Sequence, residues 1–263
     1  MLLAIVGLCF FLPGLLLTVL FGALLRVRRG EVRTHERILR TPTTPIARIA
    51  GGGVFEIVGC AVPSEQGTVR SPLSGREAFV YNLTVSRTYR HEVRVLHREV
   101  DRRAFLVDDG SGERARVLPL GGALMARTRR YGEGGVHAMV VVGDLPSEPA
   151  ALTAEGVAWL AARTGSLPHE VQIDERAIQA GDRVYVLGPA ERGPRDASGR
   201  SEVVFRHVDE KGGELLVSNC TEGELAAVLG VRRTARRILF RVALGMTLLG
   251  LALGAVGLAQ LLG

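Results

Sequence analysis

Asp108, Asp109 and Glu113 crowd three carboxylates around Gly110, Ser111 and Gly112, a combination that could hold a divalent cation. An EF-hand loop needs more oxygen ligands at wider spacing. Asp and Gly are also the preferred residues of a hairpin turn, so the segment reads as a turn between strands. His91 and His97 would share a face of one strand, but no third ligand lies near them in sequence, and a solvated edge strand accounts for both. Ser71 and Ser74 lack the glycines two residues to either side that a nucleophile elbow requires, and read as turn formers. Gly51-Gly52-Gly53 has no phosphate-loop lysine after it. Cys9, Cys60 and Cys220 form neither a CxxC pair nor a Cys/His zinc spacing, and Cys60 within an apolar strand reads as a small hydrophobe. A Cys60–Cys220 disulfide stays open on sequence grounds, and a cytoplasmic domain would keep both thiols reduced. Trp159 sits at a helical position as a core anchor, or as a partner contact if exposed. Arg87, Arg90, Arg94, Arg98, Arg102 and Arg103 form the densest basic stretch of the middle region, suited to lipid, to an acidic partner, or to a solvated strand. No catalytic residue, metal ligand set or cofactor motif emerges.

The elements that would position these residues are mostly short strands. Val54–Val62 reads as a strand, and Ser71-Pro72-Leu73-Ser74-Gly75 as a turn in which proline presets φ and glycine permits a positive one. Phe79, Tyr81, Leu83 and Val85 alternate with Asn82, Thr84 and Ser86, which predicts a strand with its apolar side in the core. Further strands are expected at 93–100, 105–107, 115–118, 136–142, 183–188, 203–208 and 214–218, a loop at 189–201 and a helix at 153–163. Thr221-Glu222-Gly223-Glu224 matches a capping box opening a second helix. This pattern predicts a small barrel or sandwich, OB-like in one form, with one or two helices.

Apolar segments lie at both ends. Residues 2–25 and 242–262 carry no charge, and each exceeds the roughly 20 residues that cross a bilayer as a helix. Arg26, Arg28, Arg29, Arg33, Arg37 and Arg40 follow the first, and Arg232, Arg233, Arg236, Arg237 and Arg241 precede the second. By the positive-inside rule the middle would be cytoplasmic and both termini outside. The expected organisation is a transmembrane helix at 1–25, a basic stalk at 26–50, a β-rich domain at 51–220, a basic juxtamembrane helix at 221–241 and a second transmembrane helix at 242–263. The expected location is a bacterial inner membrane. The bacterial source rests on one lysine against 32 arginines, a bias of GC-rich codons. Membrane lipids would contact the flanking arginines, and Gly250 and Gly254 form a GxxxG suited to self-association or to pairing with the glycines of the first segment. Net charge is +6 and pI about 9.9, yet the terminal flanks supply eleven arginines. The middle is therefore not basic overall, and nucleic acid is not an expected partner.

Several motifs occur in register. Ser71-Pro72-Leu73-Ser74-Gly75 precedes Tyr81; Phe105 leads into Asp108, Asp109, Gly110 and Gly112; Glu175 is followed by Gly181, Asp182, Val184, Tyr185, Leu187 and Gly188. Together these resemble the GIDE family of "beside-a-membrane" domains, related to the mitochondrial outer-membrane E3 ubiquitin ligase, over roughly residues 45–262. The resemblance implies a β-rich domain between two membrane helices. It also implies ubiquitin-ligase activity, which in the family depends on a zinc-binding RING after the second helix. The sequence stops at Gly263 with three cysteines in all, so no RING is expected. The resulting expectation is a non-enzymatic adaptor, sensor or scaffold with an unidentified protein partner. A ligase-like protein with a RING supplied in trans is the alternative, and an OB-like nucleotide or oligonucleotide binder the second.

Overall fold

The computed structural model describes residues 11–13, 15–19, 36–89, 92–131, 147–193, 201–209 and 213–262. The chain divides into two compact units, 38–225 and the pair of terminal segments 1–37 with 226–263.

In order, the strands are β1 (Gly53–Pro63), β2 (Val69–Arg70), β3 (Glu77–Ala78), β4 (Val80–Tyr89), β5 (Glu92–Arg102), β6 (Phe105–Asp108), β7 (Arg114–Leu118), β8 (Ala123–Leu124), β9 (Thr128–Tyr131) and β10 (Ser147–Ala150). Helix α1 (Ala154–Thr164) is followed by β11 (Gln172–Ile178), β12 (Arg183–Arg192), β13 (Val203–Arg206), β14 (Leu216–Ser218) and helix α2 (Glu222–Leu262). The strand expected at 136–142 lies outside the described residues. The chain from Pro189 to Arg192, expected as loop, instead extends β12 and pairs with β13 and β1.

Five strands close a ring. β1 pairs with β6, β6 with β7, β7 in parallel with β13, β13 with β12, and β12 with β1 again. Inside it pack Ile57, Ala61, Phe105, Val107, Ala115, Val117, Val184, Val186, Val203 and Phe205, all buried. β14 and β8 extend the sheet from β12.

A second sheet runs β10-β9-β11-β4-β5. The alternation in β4 does what its sequence predicts: Tyr81, Leu83 and Val85 are buried with Ile173, Tyr131 and Leu160 of α1. Phe79, just before β4, faces the barrel instead and stacks on Phe105 with ring centroids 5.4 Å apart. Helix α1 begins as its sequence predicts, with the Thr153 side chain accepting from the Gly156 amide, and ends at Gly165 in the left-handed conformation.

The membrane expectation is corrected. Among the described residues no helix is long and apolar enough to cross a membrane. The structure therefore has a β-rich domain with a five-stranded barrel, and the transmembrane helices, integral-membrane location and bacterial inner-membrane placement derived from the termini are not supported. The apolar C-terminal residues continue one helix, α2, that starts at Glu222 and includes all five arginines from Arg232 to Arg241. Part of its apolar character has a protein partner. A Cβ on Gly250 would lie 2.3 Å from the Phe11 backbone nitrogen, and the Thr18 and Thr247 hydroxyls are 3.1 Å apart. Arg26, Arg28 and Arg29 lie outside the described residues.

Gly156 lets α1 sit on the Ser71–Gly75 turn, since a Cβ there would stand 2.5 Å from the Leu73 carbonyl oxygen. Gly156→Ala is expected to destabilise the 38–225 unit by about 1–3 kcal/mol, outweighing the roughly 1 kcal/mol that alanine gains over glycine in a helix. Denaturant unfolding of the two proteins tests this.

Candidate functional site

The family-motif residues gather into polar clusters that hold the elements together. Ser71 is buried, and its hydroxyl accepts from the amides of Leu73 and Ser74 at 3.4 Å. Pro72 and Gly75, the latter with φ 65°, complete the turn. The Leu73 carbonyl accepts from the Thr153 hydroxyl at 3.1 Å, so the turn also anchors α1. Ser74 donates at 3.4 Å to one oxygen of Glu175, and the Tyr131 hydroxyl donates to the other. Ser71 and Ser74 are thus turn formers, and Ser74 also serves a carboxylate 101 residues away in the chain. Burial, then the charge of Glu175, pushes the Tyr131 phenol up. Tyr81 is in the same position towards Glu99, with burial again the larger cause.

A second buried carboxylate, not foreseen from the sequence, belongs to Glu56 in β1. It accepts from the Tyr185 hydroxyl at 2.6 Å and from the Thr43 hydroxyl at 2.6 Å. Removal from water raises its pKa above 4.5, against the lowering effect of these hydrogen bonds. Gly181, at φ 82°, turns the chain into β12. The Asp182 carboxylate accepts from the Gln179 amide at 2.9 Å and the Asn219 amide group at 3.4 Å. Val184 and Leu187 are core, and Gly188 has no room for a Cβ beside Leu215.

The acidic turn is occupied by its own chain. Asp108 accepts from Gly110 and Arg114, Asp109 accepts from the amides of Ser111 and Ile46, and Glu113 pairs with Arg192. Positive φ at Gly110 and Gly112 supports the turn. Among the described residues no three His, Cys, Asp or Glu side chains are grouped to hold a metal. His91 lies outside the described residues. His97 sits 3.3 Å from Glu99 and packs edge-on against half-buried Trp159 at 5.2 Å. Cys60 differs from expectation: it is exposed, where β1 changes partners, while Cys220 is buried.

The basic stretch separates into two groups. Arg87 pairs with Glu170 and Ser166, Arg102 donates to the carbonyls of Pro119 and Gly122, and Arg103 donates to the Gln66 carbonyl. Arg94 and Arg98 on β5 are exposed and form no hydrogen bond or ion pair among the described residues. Arg90 lies outside them. β5 has β4 on one side and no strand on the other among the described residues. Along it Val93, Val95 and Val100 are 67%, 56% and 42% exposed, and Tyr89 at the adjoining end of β4 is 67% exposed. Val95, Arg98 and Val100 pair with Ser86, Thr84 and Asn82 and so lie on the face of the sheet away from α1.

The outward residues of β6 and β7 are Leu106, Asp108, Arg114, Arg116 and Leu118. Arg116 is paired with Glu65 and Glu202. That face carries no aromatic side chain on which a base could stack. No family model, curated protein or solved structure matches this chain.

Glu56 generates a pH dependence. The unfolded chain titrates near 4.5 and the native group above it. The native state therefore binds the proton more tightly, and the stability this contributes is full below 4.5 and lost as pH rises through the native pKa. Glu56→Gln should remove that loss, so its stability relative to the parent rises between acid and neutral pH. Unfolding curves of both proteins at a series of pH values check the sign.

Proposed function

We propose that residues 38–225 form a GIDE-like binding module acting as a non-enzymatic adaptor, and that it takes an extended, acidic segment of a partner protein along β5. The observation that carries this reading is the open edge itself. An eleven-residue strand presents three exposed valines and two arginines without partners. Unpaired edge groups supply backbone hydrogen bonds to an added strand, and side chains on alternating faces supply selectivity. Edge strands are commonly protected by charge against pairing with their like, and a charged edge admits a strand of opposite sign. The Ser74–Glu175 contact supports the GIDE resemblance, because two of its motifs meet there. The ligase-like alternative rests on that resemblance alone. The nucleotide-binding alternative needs stacking aromatics that the outward face of β6 and β7 does not offer.

A capped peptide alternating valine and glutamate is the direct probe. It should bind the full chain with amide shifts centred on β5, while the lysine counterpart should not. Val95→Glu and Arg98→Glu are each expected to weaken binding about fivefold or more and to leave stability within about 0.5 kcal/mol, both sites being exposed. Shifts centred away from β5, or equal affinity for the acidic and basic peptides, would contradict the proposal.

A further inference from the structure

Two cavities open beside one another in the 38–225 unit, of about 250 Å³ and about 530 Å³, and share Arg127, Arg183 and Asn219 in their walls. The smaller is polar, with Arg129, Glu148 and Asp182 completing its charged lining. The larger adds Val58, Val184, Tyr185 and Cys220 to a mostly apolar wall, together with Thr43, Thr221 and Glu222. Its volume is that of an ordinary small-ligand pocket.

The charges of the polar chamber are unequally used. Arg127 is satisfied: it forks onto Glu224 at 2.8 and 3.2 Å and lies 3.6 Å from Glu148. Asp182 accepts from Gln179 and Asn219. Arg129 donates through Nη2 to Gln179 at 3.3 Å, but its Nη1 is buried and has no hydrogen-bond partner. Arg183 makes no hydrogen bond or ion pair among the described residues. A buried guanidinium N–H without an acceptor is costly, and a planar carboxylate is the acceptor that matches the guanidinium fork.

We infer that this double cavity is a binding site for a carboxylate with an apolar body. The carboxylate takes Arg129 Nη1 and the Arg183 guanidinium, and the body fills the chamber beside Val58, Tyr185 and Cys220. A single negative charge suits the site better than a phosphate dianion, because Glu148 and Asp182 already line the same wall. The site is separate from the β5 edge and does not depend on what binds there. The carboxylate can belong to a free organic acid or to the C-terminus of a peptide.

Both sources are tested on the full chain by NMR titration. One arm compares 4-phenylbutyrate with 4-phenylbutyramide, the other compares acetyl-Gly-Leu-Phe with its C-terminal amide. Each carboxylate should shift resonances of Arg129, Arg183 and the 181–184 turn, with the amides binding about tenfold more weakly or worse. The arm with the higher affinity identifies the source. Arg183→Gln should cost about tenfold in affinity with unchanged thermal unfolding, since the side chain has no partner to lose. Arg129→Gln should cost a similar factor in affinity, with rescue by Arg129→Lys incomplete because an ammonium lacks the fork. Equal binding of acid and amide, wild-type affinity in Arg183→Gln, or displacement of phenylbutyrate by equimolar inorganic phosphate would overturn the inference.

Discussion

The change of partner along β1 is the constraint from which the rest of the 38–225 unit follows. Residues 53–60 pair with β12 and residues 60–63 with β6, so one strand closes a ring of five. The close approach at this corner needs a residue without a side chain: a Cβ on Gly59 would lie 2.5 Å from the Asp108 carbonyl oxygen. With the ring closed, its five strands present no continuous free edge, and the longest open edge among the described residues, β5, lies in the second sheet. Phe79 and Val80 belong to the barrel core while Tyr81, Leu83 and Val85 belong to the other, so the chain leading into and along β4 joins the two cores. The open edge at β5 is thereby tied to the barrel through β4.

Two buried carboxylates fasten this arrangement by the same device. Glu56 receives hydroxyl hydrogens from Tyr185 and Thr43, and Glu175 receives them from Tyr131 and Ser74. Each tyrosine donor comes from a strand distant in sequence, 129 residues from Glu56 and 44 from Glu175. Charge buried in this way adds little net stability over an apolar packing. Its effect is geometric, because the acceptors are met only when β1 lies against β12 and β9 against β11.

Local patterns were legible in the sequence and long-range pairings were not. The alternation from Tyr81 to Val85, the Asp108–Glu113 turn, the helix that runs from 154 to 164 and the Thr221–Glu224 capping box are all formed as their residues predict. Each is decided within a few positions by φ preference, side-chain hydrogen bonding or period. Glu56 gave no such signal, since its two donors come from Thr43 and from β12. The double cavity gives no sequence signal for the same reason: Arg127, before β9, Arg183, at the start of β12, and Asn219, after β14, come from three separate parts of the chain and look like ordinary surface residues. The terminal segments misled in the opposite direction. A long apolar run flanked by arginine satisfies a bilayer rule, and the pairing of Gly250 with Phe11 and of Thr247 with Thr18 is invisible to composition.

A closed barrel carrying an open sheet is a platform with exposed strand edges, of which β5 is eleven residues long while β8 and β10, the other end strands of the two larger sheets, have two and four. β5, with its valines and its unmatched arginines, is the edge on which the binding function proposed above depends. Amide hydrogen exchange of the native chain, resolved residue by residue, examines this most directly. Protection is expected throughout the paired residues of β1 and β12, and along β5 an alternation in which the amides turned away from β4 exchange as fast as open chain. Uniform protection along β5, or fast exchange across the β1–β12 pairing from Gly53 to Cys60, would contradict it.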